Sequence, residues 1–360
     1  MQKTLTLSLS LFMTLAIPAA AQRPPIRHVF TIVLENKSYA ETFGPNSPAP
    51  YLSKQLTAQG ELLTNYYAIG HNSLPNYIAL VSGQAPNVIT QSDCQIYQDF
   101  IPSSAVQVAL NGQVVGQGCV FPTQVQTIAN QLAARGHTWR GYMEDMSAPC
   151  SHPALNTQDQ TQAAKPGNQY AARHNPFVYF HSIVDTPSCA ANDVALTQLP
   201  ADLKQYETTP NYVFITPNLC HDGHDSPCVN GEPGGLVSAD AFLRKWVPQI
   251  LNSPAYQRDG LLLILFDEAE FGASGADTTA CCNELPGPNS ALPGIAGPGG
   301  GRVGAVVLSK FVRPGTVVTT PYNHYSMLRT IEDLFGLDHL GYAGHSGLDG
   351  FGLDVFVALP

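Results

Sequence analysis

Four near-continuous apolar runs, at 29–34, 212–216, 261–266 and 303–308, stand out in a chain otherwise broken by glycine and proline. Runs of this length without polar alternation predict strands buried on both faces, as in a parallel sheet covered by helices. Between them, 125–134, the region around 242–251, and 324–335 repeat apolar residues at helical spacing. In the last of these Met327, Leu328, Ile331, Leu334 and Phe335 share one face, Asn323 is placed to cap the start and Gly336 the end. A further helix is predicted from the run Ile78 to Val81, closing at Gly83, with Pro75 in its first turn. Alternating strands and helices predict an α/β fold: a doubly wound, mostly parallel sheet with helices on both faces.

Other segments break the pattern. The stretches 91–118 and 147–176 are polar, weakly periodic and bounded by cysteines, which marks them as insertions pinned onto the core. Residues 285–301 form a Gly- and Pro-rich loop without the Gly-x-x-x-x-Gly-Lys-Ser/Thr pattern of a phosphate-binding loop. At the amino end, Lys3, the apolar stretch 5–17 and Ala19-Ala20-Ala21 have the layout of a signal peptide at residues 1–21. Residues 22–360 are then expected to form a single domain, periplasmic or secreted. No other apolar segment approaches the ~20 residues of a membrane span, so no stable membrane insertion is expected. The formal charge of −10 argues against nucleic acid as a partner. Eight cysteines in an exported chain point to disulfides, with 105 connectivities open. A bridge between the adjacent Cys281 and Cys282 is disfavoured, and the working assignment pairs these two with Cys220 and Cys228.

The chemistry gathers at the ends of the predicted strands. Glu35-Asn36 follows one apolar run and Asp267-Glu268 another. In parallel sheets the carboxyl ends of the strands border the ligand crevice, so these side chains are aimed into one cleft. Three buried carboxylates and an amide repel one another unless a cation joins them. The expectation is one divalent metal ion, with Ca²⁺, Mg²⁺ or Mn²⁺ favoured by the oxygen ligands and Zn²⁺ also compatible. Ser73, at a predicted helix N-terminus, would have its hydroxyl activated by that metal and by the helix dipole. Asn218, His221, Asp222 and His224 follow the strand at 212–216, and His324 opens the last helix. Histidines there can bind metal, contact phosphate or protonate a leaving group. His137, His152, His174, His339 and His345 receive no role.

Val-Leu-Glu-Asn-Lys-Ser-Tyr at 33–39, His-Asn-Ser-Leu-Pro-Asn-Tyr at 71–77, Phe-Asp-Glu at 266–268 and Asn-His-Tyr-Ser-Met-Leu-Arg-Thr-Ile-Glu-Asp-Leu-Phe-Gly at 323–336 carry a resemblance. In that order they resemble the phosphoesterase family that joins secreted acid phosphatases with phospholipases C, within the alkaline-phosphatase-like superfamily. The resemblance implies that Glu35, Asn36, Asp267 and Glu268 hold a metal, which Ser73 also touches. Ser73 would be transiently phosphorylated, and Asn76, His221, His224 and His324 would contact the phosphoryl group or assist the leaving group. The expected function is an acid phosphatase acting on a small phosphate ester. A phospholipase C-type phosphodiesterase, or a non-catalytic protein that holds a phosphorylated ligand through the metal, is the alternative.

Overall fold

The computed structural model describes residues 23–103, 110–272 and 275–357; the leader expected at 1–21 lies outside them. Its centre is an eight-stranded sheet: β1 (His28–Leu34), β2 (Glu61–Leu63), β3 (Trp139–Met143), β4 (Asp193–Ala195), β5 (Tyr212–Thr216), β6 (Gly260–Phe266), β7 (Ala305–Ser309) and β8 (Thr316–Val318), in the order β8-β2-β7-β6-β1-β5-β3-β4. The block β6-β1-β5-β3-β4 is parallel throughout, and β7 runs antiparallel to both its neighbours. Every residue of β1, β5 and β6 is buried, as their uninterrupted apolar character requires.

Helices cover both faces. On β1 and β5, Thr31 pairs with Phe214 and Phe30 with Val213, so Phe30 and Phe214 point to opposite sides. Phe214 packs edge-on against Tyr77 of α1 (Ser73–Ser82). Phe30 lies against Tyr256 of the short helix Pro254–Asp259. α2 (Ile128–Ala134) begins at a capping box between Thr127 and Asn130, three residues inside the predicted start. α3 (Gly235–Leu251) begins earlier than its periodicity indicated. α4 (His324–Phe335) runs between the expected caps, with Asn323 accepting from the Ser326 amide and Gly336 left-handed. No helix among the described residues is long and apolar enough to cross a membrane.

Strands β3 and β4 gave no clear signal in the sequence. Arg140 interrupts β3 and is compensated by Asp202, while β4 opens on Asp193. The cysteine assignment is corrected. Cys94 bonds Cys119, Cys150 bonds Cys189, Cys220 bonds Cys228 and Cys281 bonds Cys282. Cys220 and Cys228 bracket one short loop that folds back on itself, with the Cys228 amide donating to the Glu232 carbonyl, so neither is available to 281–282. The backbone of the latter pair turns through positive φ at Cys282 and Asn283, which brings the neighbouring side chains together.

Asp193 is fully buried, with one carboxylate oxygen accepting from Asn175 at 2.7 Å and the other unpartnered. Burial raises its pKa to about 7, only partly offset by Asn175. A carboxyl whose native pKa lies above its unfolded value gives most stability below the unfolded value and loses it as pH climbs through the native one. Unfolding free energy should therefore fall between about pH 4 and 7, by of order 4 kcal/mol at most. Asp193→Asn is expected to flatten that decline; denaturant midpoints across this range would check it.

Candidate functional site

The register of the two central strands sets the site. Leu34 pairs with Phe266, so Glu35 and Asp267 emerge side by side at the carboxyl edge. The Asp267 amide donates to the Leu34 carbonyl at 2.8 Å, and the Glu35 amide to the Asp222 carbonyl at 2.7 Å. Glu35, Asp222, Asp267 and Glu268 are all buried to within 2% of complete. Asp267 Oδ1 accepts from the Asn36 amide at 3.0 Å and the Glu268 amide at 2.6 Å. The second residue of the acidic pair turns the other way. Glu268 bonds the His71 ring and accepts from the Asn72 amide.

Ser73 opens α1, as predicted, and its hydroxyl donates to Glu35 Oε2 at 2.6 Å. Tyr77, one turn further, donates its hydroxyl to Glu35 Oε1. Both oxygens of one buried carboxylate are thus taken by neighbours on the same helix face. Asn76, expected to contact a phosphoryl group, is spent on the chain that precedes Ser73. Its Oδ1 accepts from the Ile69 and Gly70 amides at 3.0 Å each, and its Nδ2 donates to the Gly70 and Asn72 carbonyls. This side chain holds the loop that delivers Ser73, using its full donor and acceptor capacity.

The histidines divide. His324 is buried, with Nε2 at 2.6 Å from the Asp267 carbonyl and Nδ1 at 3.1 Å from the Tyr66 hydroxyl. Burial lowers its pKa to about 4, so here it braces Asp267 as a neutral ring and presents no proton to a leaving group. His221 does not join the cluster. Asn218 Oδ1 accepts from the Cys220 and His221 amides, and the turn sends His221 outward between Glu144 (2.9 Å) and Glu232 (3.1 Å). Despite the opposing effect of burial, those two carboxylates raise its pKa to about 9. Asp222 takes the inward position instead. His224 is 42% exposed at the rim, its amide bonded to Asp222 Oδ1 at 2.9 Å. With Lys37, Glu41, Ser226 and Leu236 it lines a cavity of about 490 Å³.

The residue that sequence reasoning missed is His174. Its Nε2 lies 3.3 Å from Glu35 Oε2 and its Nδ1 3.8 Å from Asp222 Oδ2, with the ring stacked on Tyr77. Burial first, then Arg173, hold its pKa well below the ordinary value. It comes from a segment read as a peripheral insertion. The one available signal was Arg173-His174-Asn175-Pro176, an arginine and a histidine shortly before a turn-forming proline.

The acidic cluster is one whose repulsion a cation would relieve. Burial raises the pKa of Glu35, Asp222, Asp267 and Glu268, and for each the next largest cause is another carboxylate. Asn36 Oδ1, Asp267 Oδ2 and Asp222 Oδ2 are buried without a hydrogen-bond partner. Orphaned oxygens among mutually repelling acids fit a hard divalent ion held by Glu35, Asn36 and Asp267, with Glu268 at its side. Among the described residues, the one set of three His, Cys, Asp or Glu side chains whose ligand atoms all lie within 4.8 Å of one another is Cys220, His221 and Glu232, and it is unsuitable because Cys220 is in a disulfide.

Comparisons with known proteins bear on the same residues. The phosphoesterase family model matches residues 46–338. A probable acid phosphatase of Kluyveromyces lactis is 28% identical over 88% of this chain and 59% of its own length. A phosphate-repressible acid phosphatase of Penicillium chrysogenum is 28% identical over 83% and 57%. A phosphatidylinositol-3-phosphatase of Mycobacterium tuberculosis is 26% identical over 90% and 82%. The chain thus spans under 60% of the length of the two fungal relatives. Among solved structures, a sulfatase from Pseudoalteromonas sp. aligns with TM-score 0.51 at 12% identity, covering 93% of this chain and 72% of that one. The structure of Ps i-CgsB with a neocarrahexaose aligns with TM-score 0.50 at 15% identity, covering 91% and 75%. These two share the fold, and the family match, which takes in Ser73, Asp267, Glu268 and His324, says more: the chain belongs to the phosphoesterase family.

Proposed function

We propose that this protein is an exported, metal-dependent phosphomonoesterase of acid phosphatase type that acts through a phosphoserine at Ser73. The observation that carries the reading is the Ser73 hydroxyl, at a helix start, donating at 2.6 Å to Glu35 inside a buried acidic cluster. A cap or core serine has no need of a buried carboxylate on its hydroxyl. Glu35 is placed to accept the hydroxyl proton as Ser73 Oγ forms its bond to phosphorus and the phosphorus–oxygen bond of the ester breaks. Tyr77 holds Glu35 in that orientation through its hydroxyl, with the His174 ring packed on Tyr77. The departing alkoxide takes up a proton from solvent or from a rim group such as His224, and water then hydrolyses the phosphoserine. A divalent ion (Ca²⁺, Mg²⁺, Mn²⁺ or Zn²⁺) held by Glu35, Asn36 and Asp267 would neutralise phosphate charge and lower the pKa of the hydroxyl, while Glu268, expected among its ligands, is engaged by His71. The four disulfides support an oxidising, exported setting.

The relatives' names all describe monoester hydrolysis, which supports that reading over a phospholipase C-type diesterase. Turnover of p-nitrophenyl phosphate against p-nitrophenyl phosphorylcholine separates the two. A clear preference for the second substrate would replace the proposal by the diesterase.

Ser73→Ala should lower kcat by at least ~10³, about 4 kcal/mol of barrier, with the melting temperature little changed. Near-normal turnover would remove Ser73 from the scheme. Dialysis against a chelator should abolish activity, and titrating divalent ions back should restore it; full activity in metal-free protein would end the metal-dependent reading. Asn76→Ala strands four backbone groups at 69–72, three of them in buried bonds, so unfolding free energy should drop by about 2–4 kcal/mol. Denaturant titration checks this, and an unchanged midpoint would show that the loop does not rely on Asn76.

A further inference from the structure

The helix that begins at Ser73 is capped from outside itself. Asn72 stands at the N-cap position with φ of 66°, and its side chain makes no cap; it donates instead to the Gln91 carbonyl. The acceptor at the helix start is Asp93, from a separate segment. Asp93 Oδ1 takes the Leu74 amide at 2.9 Å, and the same carboxylate takes the Ser73 amide. Asp93 Oδ2 lies 3.8 Å from Arg173 Nε, and the Asp93 side chain is 17% exposed. The amides that would otherwise be open to a phosphoryl oxygen are therefore already engaged, which departs from the expected role of the bare helix terminus.

The chain turns sharply to bring this carboxylate in. Asp93 and Cys94 both have left-handed backbones, with φ of 52° and 49°. Two successive non-glycine residues there are strained, so the turn must be held by its surroundings. The holds are visible: Cys94 is bonded to Cys119, and the Asp93 carbonyl accepts from Gln162 Nε2 at 2.9 Å. Ser73 is thereby fixed at both ends of its side-chain bond, its amide by Asp93 and its hydroxyl by Glu35.

We propose that Asp93 is a positioning residue for Ser73 and that the Cys94–Cys119 disulfide is the latch that keeps it there. The proposal rests on Ser73 being the nucleophile. A carboxylate at the amide fixes the direction of the Cα–Cβ bond, so its loss lets the hydroxyl swing away from Glu35 and affects the chemical step more than substrate capture.

The test compares Asp93→Ala, Asp93→Asn and Cys94→Ser/Cys119→Ser with the wild-type holoenzyme on p-nitrophenyl phosphate. Asp93→Ala should lower kcat by about tenfold or more with KM within about twofold. Asp93→Asn keeps an acceptor oxygen for the two amides and should recover kcat to within about threefold of wild type. The double serine variant should lose kcat to a similar degree, and adding Asp93→Ala to it should cost nothing further. A wild-type kcat in Asp93→Ala, an Asn variant as impaired as the Ala variant, or additive losses in the combined variant would each overturn the proposal. Hydrogen exchange of the segment 68–82 gives a readout independent of activity. It should quicken in Asp93→Ala and stay near wild type in Asp93→Asn; unchanged exchange in Asp93→Ala would refute the positioning role. An inactive wild-type enzyme with that exchange pattern intact would instead remove the phosphatase reading and leave the cap standing.

Discussion

The structure depends on carboxylates that have no business being buried together. Glu35, Asp222, Asp267 and Glu268 sit at the carboxyl edge of a parallel sheet, shielded from water and within reach of one another's charge. In a medium of low dielectric such charges repel strongly, and each pKa is pushed up accordingly. A fold keeps such a cost only where the groups are used, and perturbed carboxyls of this kind mark functional sites more often than structural ones. The two central strands make the cost unavoidable, because their register places Glu35 beside Asp267 whenever the sheet forms.

Around that acidic centre the neighbouring groups act mainly on orientation. Tyr77 fixes Glu35, His324 and Tyr66 fix the backbone at Asp267, and Asn76 fixes the loop leading to Ser73. Several of these residues belong to motifs that read as direct chemistry in the sequence. Their hydrogen-bonding capacity is instead consumed within the protein, which is how a catalytic group is held to a fraction of an ångström. A sulfatase at 12% identity shares the fold. A scaffold fixes where the strand ends lie, and the particular side chains set there decide the chemistry.

The segments that looked peripheral are the ones that complete the centre. Residues 91–118 contribute Asp93, and 147–176 contribute Arg173 and His174, each segment carrying one end of a disulfide. Long irregular stretches lose much conformational entropy on ordering, and cross-links reduce that loss by restricting the unfolded chain. Placing a charged residue from such a stretch at the start of a core helix therefore calls for a covalent anchor close by, and Cys94 directly follows Asp93.

What the sequence alone determined is whatever depends on neighbours along the chain. The buried strands at 28–34, 212–216 and 260–266 were legible from unbroken apolar runs, α4 from its periodicity and caps, and Ser73's place at a helix start from Pro75. The pairing of Glu35-Asn36 with Asp267-Glu268 followed from strand ends meeting at one edge. Tertiary structure decided what depends on direction in space. A single Asx turn at Asn218 put Asp222 inward and His221 outward, although both follow the same strand. His174 and Asp93 reach the site only because irregular segments fold over it, and such segments carry no period from which an inward face can be read. The cysteine partners were hidden for the same reason: spacing records distance along the chain, and a disulfide answers to distance through space.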